Sequence, residues 1–302
     1  MRIMVTGGAG FIGSHLVDRL VTDGHEIAVL DNLRRGKREN IQAHLEQKKI
    51  TFFEQDIRNF EAIKPAFEGC KIVFHLAAQS NVMGAVTDID YSFETNVVGT
   101  FNVLKAANSA GVRRVVFSSS REVYGEAQYL PVDEKHPFTA KNSYGASKAA
   151  GEKYCDVFQN MGAFETVILR FANVYGARDF ARVIPIFINN LKNDENIRIF
   201  GGEQVIDFVS VEIIIEALVQ SMSNERATEA PTNIGSGKGT TLFDLASRIM
   251  QLMGKENKIT VEPAREAEVV KFTADVTRMN AVFHDLQNDD PLVHLPLLTS
   301  AM

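Results

Sequence analysis

Tyr144 and Lys148 stand four residues apart in Tyr144-Gly145-Ala146-Ser147-Lys148. On a helix this spacing puts both on one face, with Cβ atoms roughly 5–6 Å apart. A neighbouring ammonium stabilises a phenolate, so Lys148 is expected to draw the Tyr144 pKa down from about 10 toward neutrality. Tyr144 can then take the proton of a substrate hydroxyl while a hydride leaves the carbon beneath it. Ser118-Ser119-Ser120 follows a run of apolar residues, and a hydroxyl there can share that proton.

The hydride needs an acceptor, and the N-terminus supplies a place for one. Arg2–Thr6 reads as a strand and runs directly into Gly7-Gly8-Ala9-Gly10-Phe11-Ile12-Gly13, after which a helix begins. Counted from Gly8 the loop satisfies G-x-G-x-x-G. Such glycines let backbone N–H groups approach a pyrophosphate at a helix N-terminus. Asp31 ends the next strand, about 20 residues on, where a carboxylate holds the adenosine ribose hydroxyls and disfavours a 2′-phosphate. The cofactor expected is NAD, although Arg34 and Arg35 stand close by.

The elements that position these groups alternate along the first half. Strands are predicted at Arg2–Thr6, Glu26–Asp31, Ile50–Glu54, Ile72–Leu76, Arg114–Ser118 and Thr166–Phe171, and helices at Ile12–Asp23, Phe60–Phe67, Phe93–Ala110 and Ser147–Met161. Nearly continuous apolar strands between helices point to an α/β fold with a doubly wound, Rossmann-like parallel sheet. Beyond Asn173 the rhythm loosens, with helices expected at Ile184–Asn193, Val211–Met222 and Leu242–Met253 and strands at Ile197–Phe200 and Pro231–Ser236. This divides the chain into residues 1–172, binding NAD, and a smaller mixed α/β substrate domain, 173–302. Leu286–Met302 shows no clear helical period.

Composition removes other classes. Among 302 residues, 32 Lys and Arg against 38 Asp and Glu give a net charge of −6, without the basic excess of a nucleic-acid binder. No apolar run approaches the ~20 residues that span a bilayer, and Cys70 and Cys155 allow at most one disulfide. The expectation is a cytoplasmic enzyme without nucleic-acid or membrane partners. The seven histidines show no metal-ligand spacing, so no metal is expected.

Taken together, the motifs resemble the extended short-chain dehydrogenase/reductase superfamily, in its UDP-glucose 4-epimerase-like nucleotide-sugar epimerase/dehydratase branch. The resemblance runs from Met1 to about Asn280 and rests on TGGAGFIG at Thr6–Gly13, DNL at Asp31–Leu33, Asp56-Ile57 and HLAAQS at His75–Ser80. It continues in Asn96 of NVVGT, SSSREVYGE at Ser118–Glu126, YGASK at Tyr144–Lys148, LRFANVYG at Leu169–Gly176, GGEQVIDFV at Gly201–Val209 and NIGSGK at Asn233–Lys238. It implies tightly held NAD, a nucleoside-diphosphate sugar substrate and a homodimer built on the Phe93–Ala110 and Ser147–Met161 helices. By the family pattern Ser120, Tyr144 and Lys148 are catalytic. NAD contacts come from the loop residues Gly7, Gly10, Phe11, Ile12 and Gly13, from Asp31 and Asn32, from Asp56 and Ile57 about the adenine, and from Leu76, Ala77 and Ala78. Asn96, Ser118 and Phe171 complete that set with Tyr144 and Lys148. Asn173, Asn190 and Arg265 hold the nucleotide diphosphate.

The chain departs from the family in three places. Ile206 replaces the arginine usual before Asp207, the final stretch lacks the usual long amphipathic helix, and Arg121-Glu122 replaces the Ala-Thr of typical 4-epimerases. A glutamate before Val-Tyr-Gly is the mark of 4,6-dehydratases, where it removes the C5 proton, and of uronate decarboxylases. Arg121, however, cannot be an acid near neutral pH. Three functions follow: a 4-epimerase of a UDP-hexose, favoured slightly; a dehydratase or C5-acting enzyme with Glu122 as base; and a catalytically silent NAD-binding regulator.

Overall fold

The computed structural model describes residues 1–80 and 82–301. Its strands, in chain order, are β1 (Arg2–Thr6), β2 (Glu26–Asp31), β3 (Ile50–Glu54), β4 (Ile72–His75), β5 (Arg114–Ser120) and β6 (Glu165–Phe171). They continue with β7 (Asn173–Tyr175), β8 (Ile197–Phe200), β9 (Val205–Ser210), β10 (Thr232–Ile234), β11 (Gly239–Thr241) and β12 (Ile259–Glu262). Seven of them form one sheet in the order β10-β6-β5-β4-β1-β2-β3, each neighbouring pair parallel. The order reverses between β1 and β4, and ligands of open α/β sheets bind beyond the carboxyl ends of the strands at such a point.

The sheet is buried on both faces because its side chains alternate between two apolar layers. Ile3 and Val5 of β1 join Leu16, Val17 and Leu20 of the helix Phe11–Thr22 on one side. Met4, from the same strand, joins Val103 and Leu104 of the helix Gly99–Ser109 and Phe158 of the helix Ser143–Asn160 on the other. Burial of each such side chain is worth about 1.5–3 kcal/mol.

The doubly wound expectation holds, and the boundaries that moved did so for local reasons. β5 continues to Ser120 because Ser118–Ser120 keep their pairing with Leu169–Phe171. The tyrosine-bearing helix starts at Ser143, four residues early, because Asn142 caps it by accepting from the Gly145 N–H at 2.8 Å. Phe60–Phe67 splits into an α-turn and a 3₁₀ turn around Pro65. The Phe93–Ala110 stretch is a π-turn, Glu94–Val98, running into Gly99–Ser109.

Beyond residue 172 the chain builds a three-stranded sheet, β11-β9-β7, and the parallel pair β12-β8. These cover a third core containing Phe187, Leu191, Ile197, Ile199, Phe208, Leu245 and Ile249. The stretch is not confined to that layer. The helix Val211–Gln220 packs on the helix Phe11–Thr22 and β10 extends the large sheet beside β6.

The C-terminal stretch is ordered where its sequence shows no period. A helix occupies Leu295–Ala301, and Leu292, Leu295 and Leu298, three residues apart, close the third core. Arg248 pairs with Asp290 and His294 with Glu212 at 2.8 Å, fixing the stretch to the domain it covers.

Candidate active site

The carboxyl ends of β1, β2, β4, β5 and β6 open into a cavity of about 750 Å³ that continues between the large sheet and the smaller layer. At its floor β1 turns through Gly7, whose φ of +72° suits glycine. A Cβ at Gly7 would lie 2.7 Å from the Ala77 amide nitrogen, and one at Gly13 would lie 2.1 Å from the Gly7 carbonyl oxygen. The loop is thus packed to backbone contact against β4 and its own helix, leaving a cradle that side chains would fill. Gly10 N-caps the helix Phe11–Thr22, and no side chain occupies that cap.

Asp31 closes the far edge of the cradle. Its carboxylate, largely buried, accepts from the Ala9 N–H at 3.1 Å and the Leu33 N–H at 2.9 Å. Burial pushes its pKa up while those two amides pull it down. Arg34 lies over the Tyr91 ring at 3.6 Å and Arg35 donates to the Ser80 hydroxyl at 3.3 Å, so both arginines have partners of their own. A free helix N-terminus, a side-chain-free turn and a terminal carboxylate fit NAD: the N-terminus and loop would hold its pyrophosphate, and Asp31 its adenosine ribose.

Asn32, Ile57, Leu76, Ala77, Ala78, Ser118 and Phe171 line the cavity with the loop residues Gly7, Gly10, Phe11, Ile12 and Gly13. Asp56 and Asn96 do not. Asp56 stands behind Asn32, whose amide donates to it at 2.9 Å. Asn96 is buried and fully used by the protein. It accepts from the Gln79 N–H at 2.8 Å and donates to the Gln79 carbonyl at 3.1 Å and the Ser147 hydroxyl at 3.0 Å. It ties the segment after β4 to the helix Ser143–Asn160, a role that its sequence motif does not reveal.

Ser120, Tyr144 and Lys148 all reach the cavity. The Tyr144 phenol is pushed up to about 12, first by its removal from water; Arg182, the Ser120 hydroxyl and Arg35 oppose that rise and Glu122 adds to it. The expected lowering by Lys148 is therefore not what this geometry gives. Lys148 Nζ lies 5.9 Å from the centre of the Tyr144 ring and donates instead to the Ser118 carbonyl at 2.6 Å.

Burial draws the Lys148 ammonium down from 10.5 to about 8. The unfolded chain thus holds a proton that the folded one sheds between those values. Stability from this group rises with pH across that window, and below pH 8 the buried charge costs about 3 kcal/mol. Its bond to Ser118 returns part of this. Lys148→Met is expected to stabilise the protein by about 1 kcal/mol at pH 7, to lose that gain by pH 10.5, and to stop turnover. Denaturant titrations at the two pH values check the first two outcomes.

Beneath this group His75 is wholly buried, its ring nitrogens 2.8 Å from the Thr6 hydroxyl and 3.0 Å from that of Thr100. Burial holds its pKa down at about 3, so it is a neutral tie between β1, β4 and the helix Gly99–Ser109. Among the described residues no cluster of His, Cys, Asp or Glu could hold a metal ion, and no helix is long and apolar enough to cross a membrane.

Glu122 reaches the cavity wall with both oxygens engaged. Oε1 pairs with Arg121 at 2.9 Å and Oε2 accepts from the Asn142 amide at 2.8 Å. Since Asn142 also caps the helix Ser143–Asn160, Arg121, Glu122 and Asn142 form a clamp between β5 and Tyr144. Asn173, Asn190, Arg265 and Ile206, expected to face the substrate, also line the cavity. Asn173 Oδ1 is buried without a hydrogen-bond partner among the described residues, and it faces a cavity where a ligand donor could reach it. Arg182, Phe200 and Arg198, which lie outside the motifs, line the same space with Gln204 of the Gly201–Val209 motif. Arg198 had a signal in Ile197-Arg198-Ile199-Phe200, whose alternation buries the isoleucines and turns the other pair away.

A parallel sheet with a dinucleotide cradle at its switch point and a Ser-Tyr-Lys group beside it defines a protein that moves hydride between a carbinol carbon and a nicotinamide. The chain belongs to the NAD dependent epimerase/dehydratase family, whose model matches residues 3–235. It is 37% identical to a putative UDP-glucose 4-epimerase of Methanocaldococcus jannaschii over 93% of this chain and 92% of that one. It is 29% identical to UDP-glucuronic acid decarboxylase 1 of Xenopus tropicalis over 86% of this chain and 62% of that one. The crystal structure of Thermotoga maritima UDP-glucose 4-epimerase with UDP-glucose superposes with a TM-score of 0.88 at 34% identity, covering 93% and 92% of the two chains. NAD is the cofactor, and the chain is an enzyme of nucleotide-sugar epimerase or dehydratase type.

Proposed function

We propose that this enzyme is a 4-epimerase of a UDP-hexose. The observation that carries the reading is the Ser120-Tyr144-Lys148 group around one cavity while both Glu122 oxygens are held by protein partners. The Gly7–Gly13 loop and Asp31 would hold NAD, which when bound would supply the acceptor for the C4 hydride and its return to the opposite face. Tyr144 takes the 4-OH proton as the hydride leaves and gives it back after the 4-keto sugar has turned. Ser120 hydrogen-bonds the same oxygen, and the Lys148 ammonium lies within the same buried space. The named activities of the M. jannaschii and T. maritima relatives support the choice of sugar nucleotide.

A proton NMR time course in D2O with UDP-, GDP- and dTDP-hexoses tests the proposal. A C4 epimer without deuterium is expected. Deuterium at C5 or C6 with a 4-keto product would transfer the enzyme to the dehydratases, and absence of turnover on the whole panel would favour the regulator.

The enzyme is also proposed to be a homodimer. Phe93, Val98, Phe101, Tyr154, Val157 and Met161 are exposed on neighbouring helical segments, and Phe101 meets Tyr154 edge-on at 5.3 Å. Exposed apolar side chains grouped on adjacent helices mark an interaction surface, and a second copy of the same face would complete a four-helix bundle. Replacing Phe101 and Val157 by glutamate is expected to give a monomer in sedimentation velocity. A wild-type monomer would dismiss the dimer. Cys70 and Cys155, free and buried, support a cytoplasmic setting.

A further inference from the structure

The geometry points to Arg198 as a binding residue for the substrate diphosphate, taking the place that the apolar Ile206 leaves without a cation. This rests on the reading of the enzyme as one acting on nucleoside-diphosphate sugars. β8 buries Ile197 and Ile199 in the third core and turns Arg198 and Phe200 toward the cavity. Side chains two residues apart on a strand share a face. Phe200, two residues from Arg198 on the same strand, carries the Arg265 guanidinium over its ring at 3.7 Å.

Their electrostatic situations differ. Arg265 is paired with Glu268 at 3.0 Å, which offsets its charge. Arg198 has neither a carboxylate nor a hydrogen-bond partner among the described residues, and it lines the same cavity as the apolar Ile206. Asn190 stands at the same end, donating to the Asn196 carbonyl at 3.3 Å, two residues before Arg198. An unpaired guanidinium on the wall of a ligand cavity that Arg265 also lines suits a diphosphate, whose oxygens accept from such forks.

Binding of UDP and of uridine to the NAD-loaded enzyme, followed by calorimetry, tests the assignment in wild type, Arg198→Gln, Arg198→Lys and the Arg198→Gln/Ile206→Arg double variant. Arg198→Gln is expected to weaken UDP 10–100-fold while leaving uridine and bound NAD unchanged. Its kinetic loss is expected in KM more than in kcat. Lysine should restore part of the UDP affinity, and arginine at 206 most of it. UDP affinity within twofold of wild type in Arg198→Gln would overturn the assignment, as would equal weakening of uridine. Loss of NAD instead of UDP would assign Arg198 to the cofactor. Failure of the wild type to bind UDP at all would strike the substrate reading itself, and it is seen before any variant is made.

Discussion

Tyr144→Phe is expected to lower kcat by about 10³-fold while leaving NAD content and the fold intact. Positioned proton transfer contributes about 10²–10⁴-fold, and the hydroxyl is the one atom removed. The ring's place in the first turn of the helix Ser143–Asn160 is set by the Asn142 cap, which the substitution does not touch. Because burial keeps the free phenol protonated well above neutrality, wild-type turnover should rise with pH in the alkaline range, and the variant should lose that dependence. Steady-state rates from pH 7 to 10 check both. Glu122→Gln serves as the contrast. It keeps the Asn142 contact while weakening the Arg121 pair, so a 4-epimerase should lose less than tenfold. A thousandfold loss in Glu122→Gln with Tyr144→Phe still active would reverse the two assignments.

Gly13→Val is expected to abolish cofactor binding, with a rise in the NAD dissociation constant of more than 100-fold and a loss of stability of several kcal/mol. A single Cβ at this position meets the Gly7 carbonyl oxygen at 2.1 Å, and the obstacle is backbone, which cannot rotate aside. Either the helix Phe11–Thr22 withdraws from the loop or Gly7 leaves its left-handed conformation. The first opens the layer containing Leu16 and Leu20, and the second moves the amides that the pyrophosphate needs. Overpacking alone costs about 1–3 kcal/mol. Cofactor release on denaturation and a thermal melt separate the two effects. A variant that binds NAD normally would remove the loop from the cofactor site.

The large sheet was legible because its strands are short apolar runs between helices with glycine near their ends. Gly7, Gly13 and Asp31 were legible because close backbone approach and a strand-end carboxylate each restrict the residue type. The helix start at Ser143 was harder to read, since it depends on a single capping side chain that also bonds Glu122. Neither contact leaves a periodic trace. Arg198 carried only a four-residue alternation, and which face of that strand meets the cavity is decided by β12 and the third core. The Tyr144–Lys148 spacing pointed to both side chains meeting in one place, and both line the same cavity, but it did not reveal the electrostatics. Spacing says nothing of the Ser118 carbonyl that takes the ammonium, nor of the burial that outweighs it. In the C-terminal stretch Pro291 and Pro296 interrupt any long helical period, while Leu292, Leu295 and Leu298 still find one core.

The return of the chain to the large sheet after residue 172 has a consequence for how the molecule holds together. Val211–Gln220 shields the helix Phe11–Thr22, and β10 forms the border of the sheet next to β6. A fragment ending at residue 172 would therefore bare the apolar flank of its first helix and leave β6 an open edge ready to pair with another molecule. The segments before and after residue 172 are not beads on a string but interlaced parts of one body. Evolution could reshape the sugar end by altering loops and strands such as β8, but it could not exchange that end wholesale without unmaking the cofactor end.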